Sequence, residues 1–139
     1  MPLKASQIKV GDVHTAKLVD NLKRTQIVQY AGASGDYNPL HTDEPFAVAS
    51  GYPSVFAHGM LTMGMTGKML TDYVGDGRLT KYGVRFTSQV FPGDSLEATA
   101  TVKAITEHEG KKLVEFDVST KNQNGVEVVS GYAEARIDA

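Results

Sequence analysis

Residues 57–73, AHGMLTMGMTGKMLTDY, decide how this chain folds. The stretch carries apolar residues at Met60, Leu61, Met63, Met65, Met69 and Leu70, spread around a helical circumference rather than gathered in one stripe. That spread predicts a long helix buried on nearly all sides. Gly64 and Gly67 each lower helix propensity by roughly 1 kcal/mol relative to alanine, so close packing against a neighbouring backbone is expected where they lie. A sheet wrapped around the helix would supply it.

The sequence that follows has the pattern of that sheet. Arg78–Phe91, Glu97–Ile105, Lys112–Lys121 and Val126–Ile137 read as strands, separated by Pro92-Gly93-Asp94, Glu109-Gly110 and Asn124-Gly125. Asn-Gly is a strong hairpin signal because a type I′ turn needs positive φ at both central positions. Alternation places Ala98, Ala100, Val102 and Ala104 on one face, and Val114, Phe116 and Val118 on one face of the next strand. With a further strand near Val13–Val19 the count is about five, and an antiparallel sheet around one long central helix is an α+β architecture. Upstream, Leu22–Ala33 reads as a short amphipathic helix through Leu22, Ile27, Val28 and Ala31, stopped at Gly32 and Gly35. Another helical piece is expected over Glu44–Ala49. No repeat or low-complexity linker divides the chain, so residues 1–139 are expected to form a single domain.

Composition narrows the chemistry. The chain has 139 residues, 14 Lys+Arg against 16 Asp+Glu, and no cysteine. A chain of this size forms its own core without a metal or disulfide staple. The absence of cysteine removes thiol nucleophiles, CxxC redox pairs, thiolate zinc sites and disulfide frameworks, and fits a cytoplasmic setting. A net charge of −2 lacks the basic face that a nucleic-acid partner requires. The first residues, MPLKASQIKVGD, have no apolar h-region and read as neither a signal nor a transit peptide. From Pro45 to Gly67 there are 23 residues without Asp, Glu, Lys or Arg, but prolines, glycines, serines and His58 interrupt them. That argues for a buried segment rather than a membrane span.

Two elements can carry chemistry. Asp36-Tyr37-Asn38-Pro39-Leu40-His41 holds an Asp and a His that cannot share a helix face, but Pro39 prevents a continuous helix and a turn can bring them together. Together they would form an acid/base dyad able to hold one water, with histidine titrating near working pH and aspartate orienting it. Asn38 would fix the turn or donate to a substrate oxygen. The competing reading makes Asp36 and Asn38 ordinary side-chain-to-backbone turns and His41 a surface residue. The second element is Ala57-His58-Gly59-Met60, where the first N–H groups of the long helix have no intrahelical acceptors. Gly59 N–H is a candidate oxyanion donor for a thioester carbonyl becoming enolate-like. His58 is either a second polar group there or a packed histidine bonded to backbone, the plainer of the two readings. His41, Asp43, His58 and Asp36 match no metal-ligand spacing, so no metal and no other cofactor is expected. The methionines read as core, with one or two available to line an acyl channel.

The segment YAGASGDYNPLHTD, Tyr30–Asp43, resembles the hydratase motif of the MaoC-like (R)-specific enoyl-thioester hydratase/dehydratase family. AHGMLTMG and VRFTSQVFPGDSL are similar to the same family, in the same order, so the resemblance covers nearly the whole chain. Within the family the sequence is most similar to short single-domain members, including the catalytic subunit of actinobacterial (3R)-hydroxyacyl-carrier-protein dehydratases. The resemblance implies a hot-dog fold whose units pair as a homodimer or as a heterodimer with a related subunit. It implies Asp36 and His41 as the catalytic dyad, Asn38 as support for the loop, and Gly59 N–H in the oxyanion hole. It implies an acyl thioester of CoA or acyl carrier protein as substrate, dehydrated from the (3R)-hydroxyacyl form or hydrated from the trans-2-enoyl form. Gln89 departs from the pattern, since members often have proline there. A hot-dog acyl thioesterase, or an acyl-binding subunit of a heterodimeric dehydratase, would share the helix terminus without needing the dyad. Lys81, Arg85, Lys111 and Lys112 are available to an acidic carrier or to CoA phosphates, or are ordinary solvated surface.

Overall fold

The computed structural model describes residues 3–138, apart from the side chain of His108. Met1, Pro2 and Ala139 of the expected 1–139 unit lie outside the described residues. In chain order the elements are β1 (Val13–Val19), α1 (Arg24–Ser34), α2 (Glu44–Ala49), α3 (Gly59–Val74), β2 (Leu79–Phe86), β3 (Leu96–His108), β4 (Lys111–Lys121) and β5 (Glu127–Ile137). The five strands make one antiparallel sheet in the order β1-β3-β4-β5-β2, folded around α3 in the hot-dog arrangement.

The alternating positions face where they should, with one exception. Ala98, Ala100 and Val102 on β3 and Val114, Phe116 and Val118 on β4 are all buried. Ala104 does not continue the series, because the register shifts between Val102 and Ala104. Past this bulge the parity flips, and Ile105 packs on the core instead. The hairpin turns also differ from expectation. Asn124-Gly125 is not a type I′ turn: only Gly125 has positive φ, at 76°. Asn122 N–H donates to Val126 O, and the Asn122 side chain accepts from Asn124 N and Val126 N, which closes a longer loop. Positive φ at two successive residues occurs instead at Glu109 (51°) and Gly110 (77°), joining the paired ends His108 and Lys111. The strand expected over Arg78–Phe91 is shorter, ending at Phe86.

Helix α3 starts two residues later than expected and is not buried on nearly all sides. Thr62, Thr66, Met69, Leu70 and Val74 face the sheet, while Met60, Gly64, Lys68 and Asp72, spaced by four, form an exposed stripe. A sheet covers only the side it curves around. A Cβ placed on Gly67 would stand 3.1 Å from the ring of Tyr82, so Gly67 is close-packed against a side chain rather than a backbone. Gly64 has nothing within 4 Å of such a Cβ, and no contact within the protomer explains it. Helix α1 runs through Gly32 and ends at Gly35, whose φ of 76° stops it.

The core falls into two apolar clusters along α3. Met69, Leu70 and Val74 pack against β3, β4 and β5 around Phe116. Leu22, Ile27, Ala57, Val90, Leu96, Val128 and Val129 form the second cluster, toward the helix N-terminus. Between them on α3 lies buried Thr66, whose hydroxyl meets that of buried Thr120 on β4 at 2.7 Å.

Candidate active site

The segment from Gly35 to His41 is built by short-range hydrogen bonds that its own side chains dictate. Ser34 Oγ accepts from Asp36 N at 3.2 Å, Asp36 Oδ1 from Asn38 N at 3.2 Å, and Asn38 Oδ1 from Leu40 N at 3.0 Å. Pro39 then opens a single 3-10 turn, Pro39–His41, with Asn38 as its N-cap. Asn38 therefore fixes the turn with its side-chain oxygen. Leu40 O accepts from Phe56 N at 3.3 Å, docking the turn on the irregular stretch that leads into α3. On the far side, Glu44 bonds Arg24 at 2.8 Å and accepts from Val55 N, tying α2 to α1 and to the same stretch.

His41 is buried, not a surface residue, at 9% exposure. Its Nδ1 lies 2.7 Å from Phe56 O. A carbonyl only accepts, so Nδ1 carries a proton, and in that tautomer the acceptor lone pair lies at Nε2. That Nε2 stands 3.9 Å from Asp36 Oδ2, too long for a direct hydrogen bond and suited to a small group held between the two. The Asp36 carboxylate is half exposed whereas the imidazole is nearly sealed. One partner thus meets solvent and the other meets the interior.

His58 takes the packed position. It is 1% exposed, its ring stacks on His41 with centroids 3.8 Å apart, and its Nε2 lies 3.0 Å from Asp36 O. It therefore donates from Nε2, and its Nδ1 is left buried without a hydrogen-bond partner. His58 holds the backbone of Asp36 and the ring of His41. Ligand atoms of Asp36, His41 and His58 all lie within 4.8 Å of one another, a closeness that sequence spacing did not reveal. Asp43, the fourth residue considered, caps α2 by accepting from Phe46 N at 3.3 Å.

Gly59 is the first residue of α3, following His58 at the N-cap. The first hydrogen bonds of the helix run to His58 O from Leu61 N and Thr62 N, which leaves the N–H of Gly59 without an intrahelical acceptor. Gly59 borders a cavity of about 300 Å³ that Phe56, Thr62, Phe86, Gln89, Val128 and Val129 also line. A Cβ on Gly59 would stand 3.1 Å from the Phe86 ring. Phe56 links the two parts of the site, since its carbonyl holds His41 while the residue also borders the cavity. No local pattern marks Phe56, Phe86 or the two valines, because their meeting depends on how β2 and β5 lie beside α3. Among the described residues no methionine lines this cavity; Met65 and Met69 border a smaller one with Lys17 and Lys68. The cations considered for carrier docking are mostly tied locally, Lys81 to Glu134, Lys111 to Asp138 and Lys112 to Glu107.

Known proteins resemble this chain in sequence and in fold. Residues 5–124 match the MaoC-like domain. The (R)-specific enoyl-CoA hydratase of Rhodospirillum rubrum is 32% identical over 134 residues, covering 95% of this chain and 90% of that protein. Enoyl-CoA hydratase ChsH3 of Mycobacterium tuberculosis is 38% identical over 100 residues, 70% of this chain, and the match spans only 32% of that longer protein. Among solved structures, the (R)-hydratase from A. caviae involved in PHA biosynthesis superposes with a TM-score of 0.84 at 26% identity, covering 96% of this chain and 99% of that one. The chain belongs to the MaoC-like domain family.

Proposed function

We propose that this chain, as a single domain over residues 1–139, is a hydro-lyase. It interconverts (3R)-hydroxyacyl and trans-2-enoyl thioesters of CoA or acyl carrier protein. The observation that carries the reading is the pair Asp36 Oδ2 and His41 Nε2, 3.9 Å apart, with His41 Nδ1 committed to Phe56 O. In hydration, one water sits between the two groups. His41 Nε2 takes a proton from it as the oxygen bonds to C3, and negative charge moves onto the thioester oxygen. Gly59 N–H and the α3 N-terminus stabilise that charge. The proton then returns from the dyad to C2, so one water adds across the double bond. Dehydration reverses each step, and two adjacent groups on one face of the substrate suit syn chemistry.

In the same reading Asp36 and His41 act by proton transfer alone, with no metal assigned a role. A second hot-dog unit, identical or related, is the proposed partner. Supporting it are half-exposed Met60 and Phe86, which lie around Gly59 beside the edge strand β2. A cytoplasmic location belongs to the same proposal; among the described residues no helix is long and apolar enough to cross a membrane.

Asp36→Asn and His41→Ala should each lower turnover of crotonyl-CoA by at least about a hundredfold, and the wild type should yield the (3R) product. Near-normal turnover in both folded variants would remove the dyad. Formation of (3S) product alone, or of free acid, would make the protein a different enzyme, the latter a thioesterase. Native mass measurement of the chain expressed alone separates a homodimer from a subunit that needs a related partner.

A further inference from the structure

We infer that Tyr82 limits the acyl chain this site accepts, by closing the inner end of the cavity beside Gly59. The inference rests on the hydratase/dehydratase reading above. The cavity lining reaches Thr62 on α3 and Phe86 on β2 and stops there. The next inward position on the same face of each element is occupied. On β2 the face that carries Phe86 continues inward through Val84, packed on the second core cluster, to Tyr82, and Thr66 and Gly67 lie one turn beyond Thr62 and Met63 on α3. The Tyr82 ring crosses Gly67, where a Cβ would stand 3.1 Å from it, and its hydroxyl donates to Met63 O at 2.6 Å. Beside it the Thr66 and Thr120 hydroxyls are bonded to each other in full burial. The floor is therefore a ring pinned to the helix backbone, next to a polar pair that an alkyl chain cannot satisfy.

The direction of the substrate follows from the walls. Val128, Val129 and Phe86 suit the acyl chain, and Ser88 and Gln89 at the exposed rim suit the amide-bearing arm that leads out to the carrier. The Tyr82 ring lies against Gly67, eight residues beyond Gly59, about 12 Å along the helix axis at roughly 1.5 Å per residue. An extended alkyl chain advances about 1.25 Å per carbon, from C–C bonds near 1.5 Å, so it reaches the ring after about ten carbons. Chains of about four to eight carbons fit, and chains of about twelve or more collide with Tyr82.

The experiment uses the full-length protein and trans-2-enoyl-CoA substrates of four to twelve carbons. Wild type should show kcat/KM at least tenfold lower for dodecenoyl-CoA than for crotonyl-CoA. Tyr82→Val should raise the twelve-to-four-carbon ratio at least tenfold, while Tyr82→Phe, which keeps the ring, should hold the wild-type ratio. In parallel, the rise in Tm given by saturated acyl-CoAs of the same lengths is measured on the wild type, which needs neither turnover nor a variant. The shift should be largest for the short chains. Equal kcat/KM or equal Tm shifts across the series, or an unchanged ratio in folded Tyr82→Val, overturns the assignment of Tyr82. Absence of hydration at every length overturns the proposed function instead, and the Tm series still decides whether the cavity stops at the ring.

Discussion

The two ends of helix α3 obey different rules. At the C-terminal end Met69, Leu70 and Val74 are sealed among β3, β4 and β5, with no polar group of theirs left to satisfy. At the N-terminal end the Gly59 N–H has no intrahelical acceptor, a cavity opens beside the second apolar cluster, and His58 keeps a buried Nδ1 without a partner. A buried polar atom left unpaired costs about 1–3 kcal/mol. Burying a leucine contributes about 1.5–3 kcal/mol. The same helix thus has apolar burial alone at one end and apolar burial mixed with destabilising, unpaired polar groups at the other. A fold that wraps a sheet around one helix can keep these apart because the apolar end anchors the helix independently of the site.

The sharpest way to break that comparison is to damage each end and read both stability and turnover. Leu70→Ala should cost roughly 2–5 kcal/mol of unfolding free energy, seen as a lower urea midpoint, because it opens a cavity in the sealed cluster. The protein that remains folded should keep its turnover per site. His41→Ala should do the reverse, with turnover lost by the factor given above and a smaller midpoint shift. If Leu70→Ala removes turnover from folded protein, or His41→Ala unfolds it, the two ends are not separable.

A smaller effect is expected at His58, which touches both Asp36 and His41 yet faces no solvent. His58→Ala should lower kcat roughly ten- to a hundredfold with little change in KM, since small misplacements of catalytic groups have effects of that size. His58→Gln, whose amide can still donate to Asp36 O, should recover part of the loss. A change confined to KM, or no recovery in the glutamine variant, would make His58 a mere filler of the core.

What was legible in the sequence follows from the range of the forces involved. The Asp36–His41 turn is made by side chains bonding backbone two residues away, so its shape is written locally, and the pair does converge. The partner that sets the His41 tautomer, Phe56 O, lies fifteen residues off and carries no local mark. The hairpins show the same limit. Asn-Gly predicted a two-residue turn at 124–125, but the Asn122 side chain reached forward and set a longer loop, while Glu109 took positive φ because the register of β3 and β4 required it. The exposed stripe on α3 was hidden for a related reason. Methionines on every side of a helix indicate burial in general, and only the curvature of the sheet decides that Met60 stays outside.

The smallest effect lies at the boundary between the two ends, on Tyr82. Burial pushes its phenol up to about 12, with the neighbouring Thr66 hydroxyl opposing in part, against 10.0 for an unburied tyrosine. The proton is held more tightly in the folded chain than in the unfolded one. Its contribution is therefore complete below pH 10 and falls as pH rises from 10 toward 12, because unfolded tyrosine ionises first. Tyr73 is raised by burial as well, and Lys68 by its bond to Asp72, so the wild-type loss has several sources. Tyr82→Phe isolates one of them. At neutral pH the variant should lose only the hydrogen bond to Met63 O, about 0.5–1.5 kcal/mol. Between pH 10 and 12 its urea midpoint should fall less steeply than that of the wild type, so the two curves converge. Parallel curves would mean that the hydroxyl is not held by the helix backbone, leaving the contact with Gly67 alone to place the ring at the boundary.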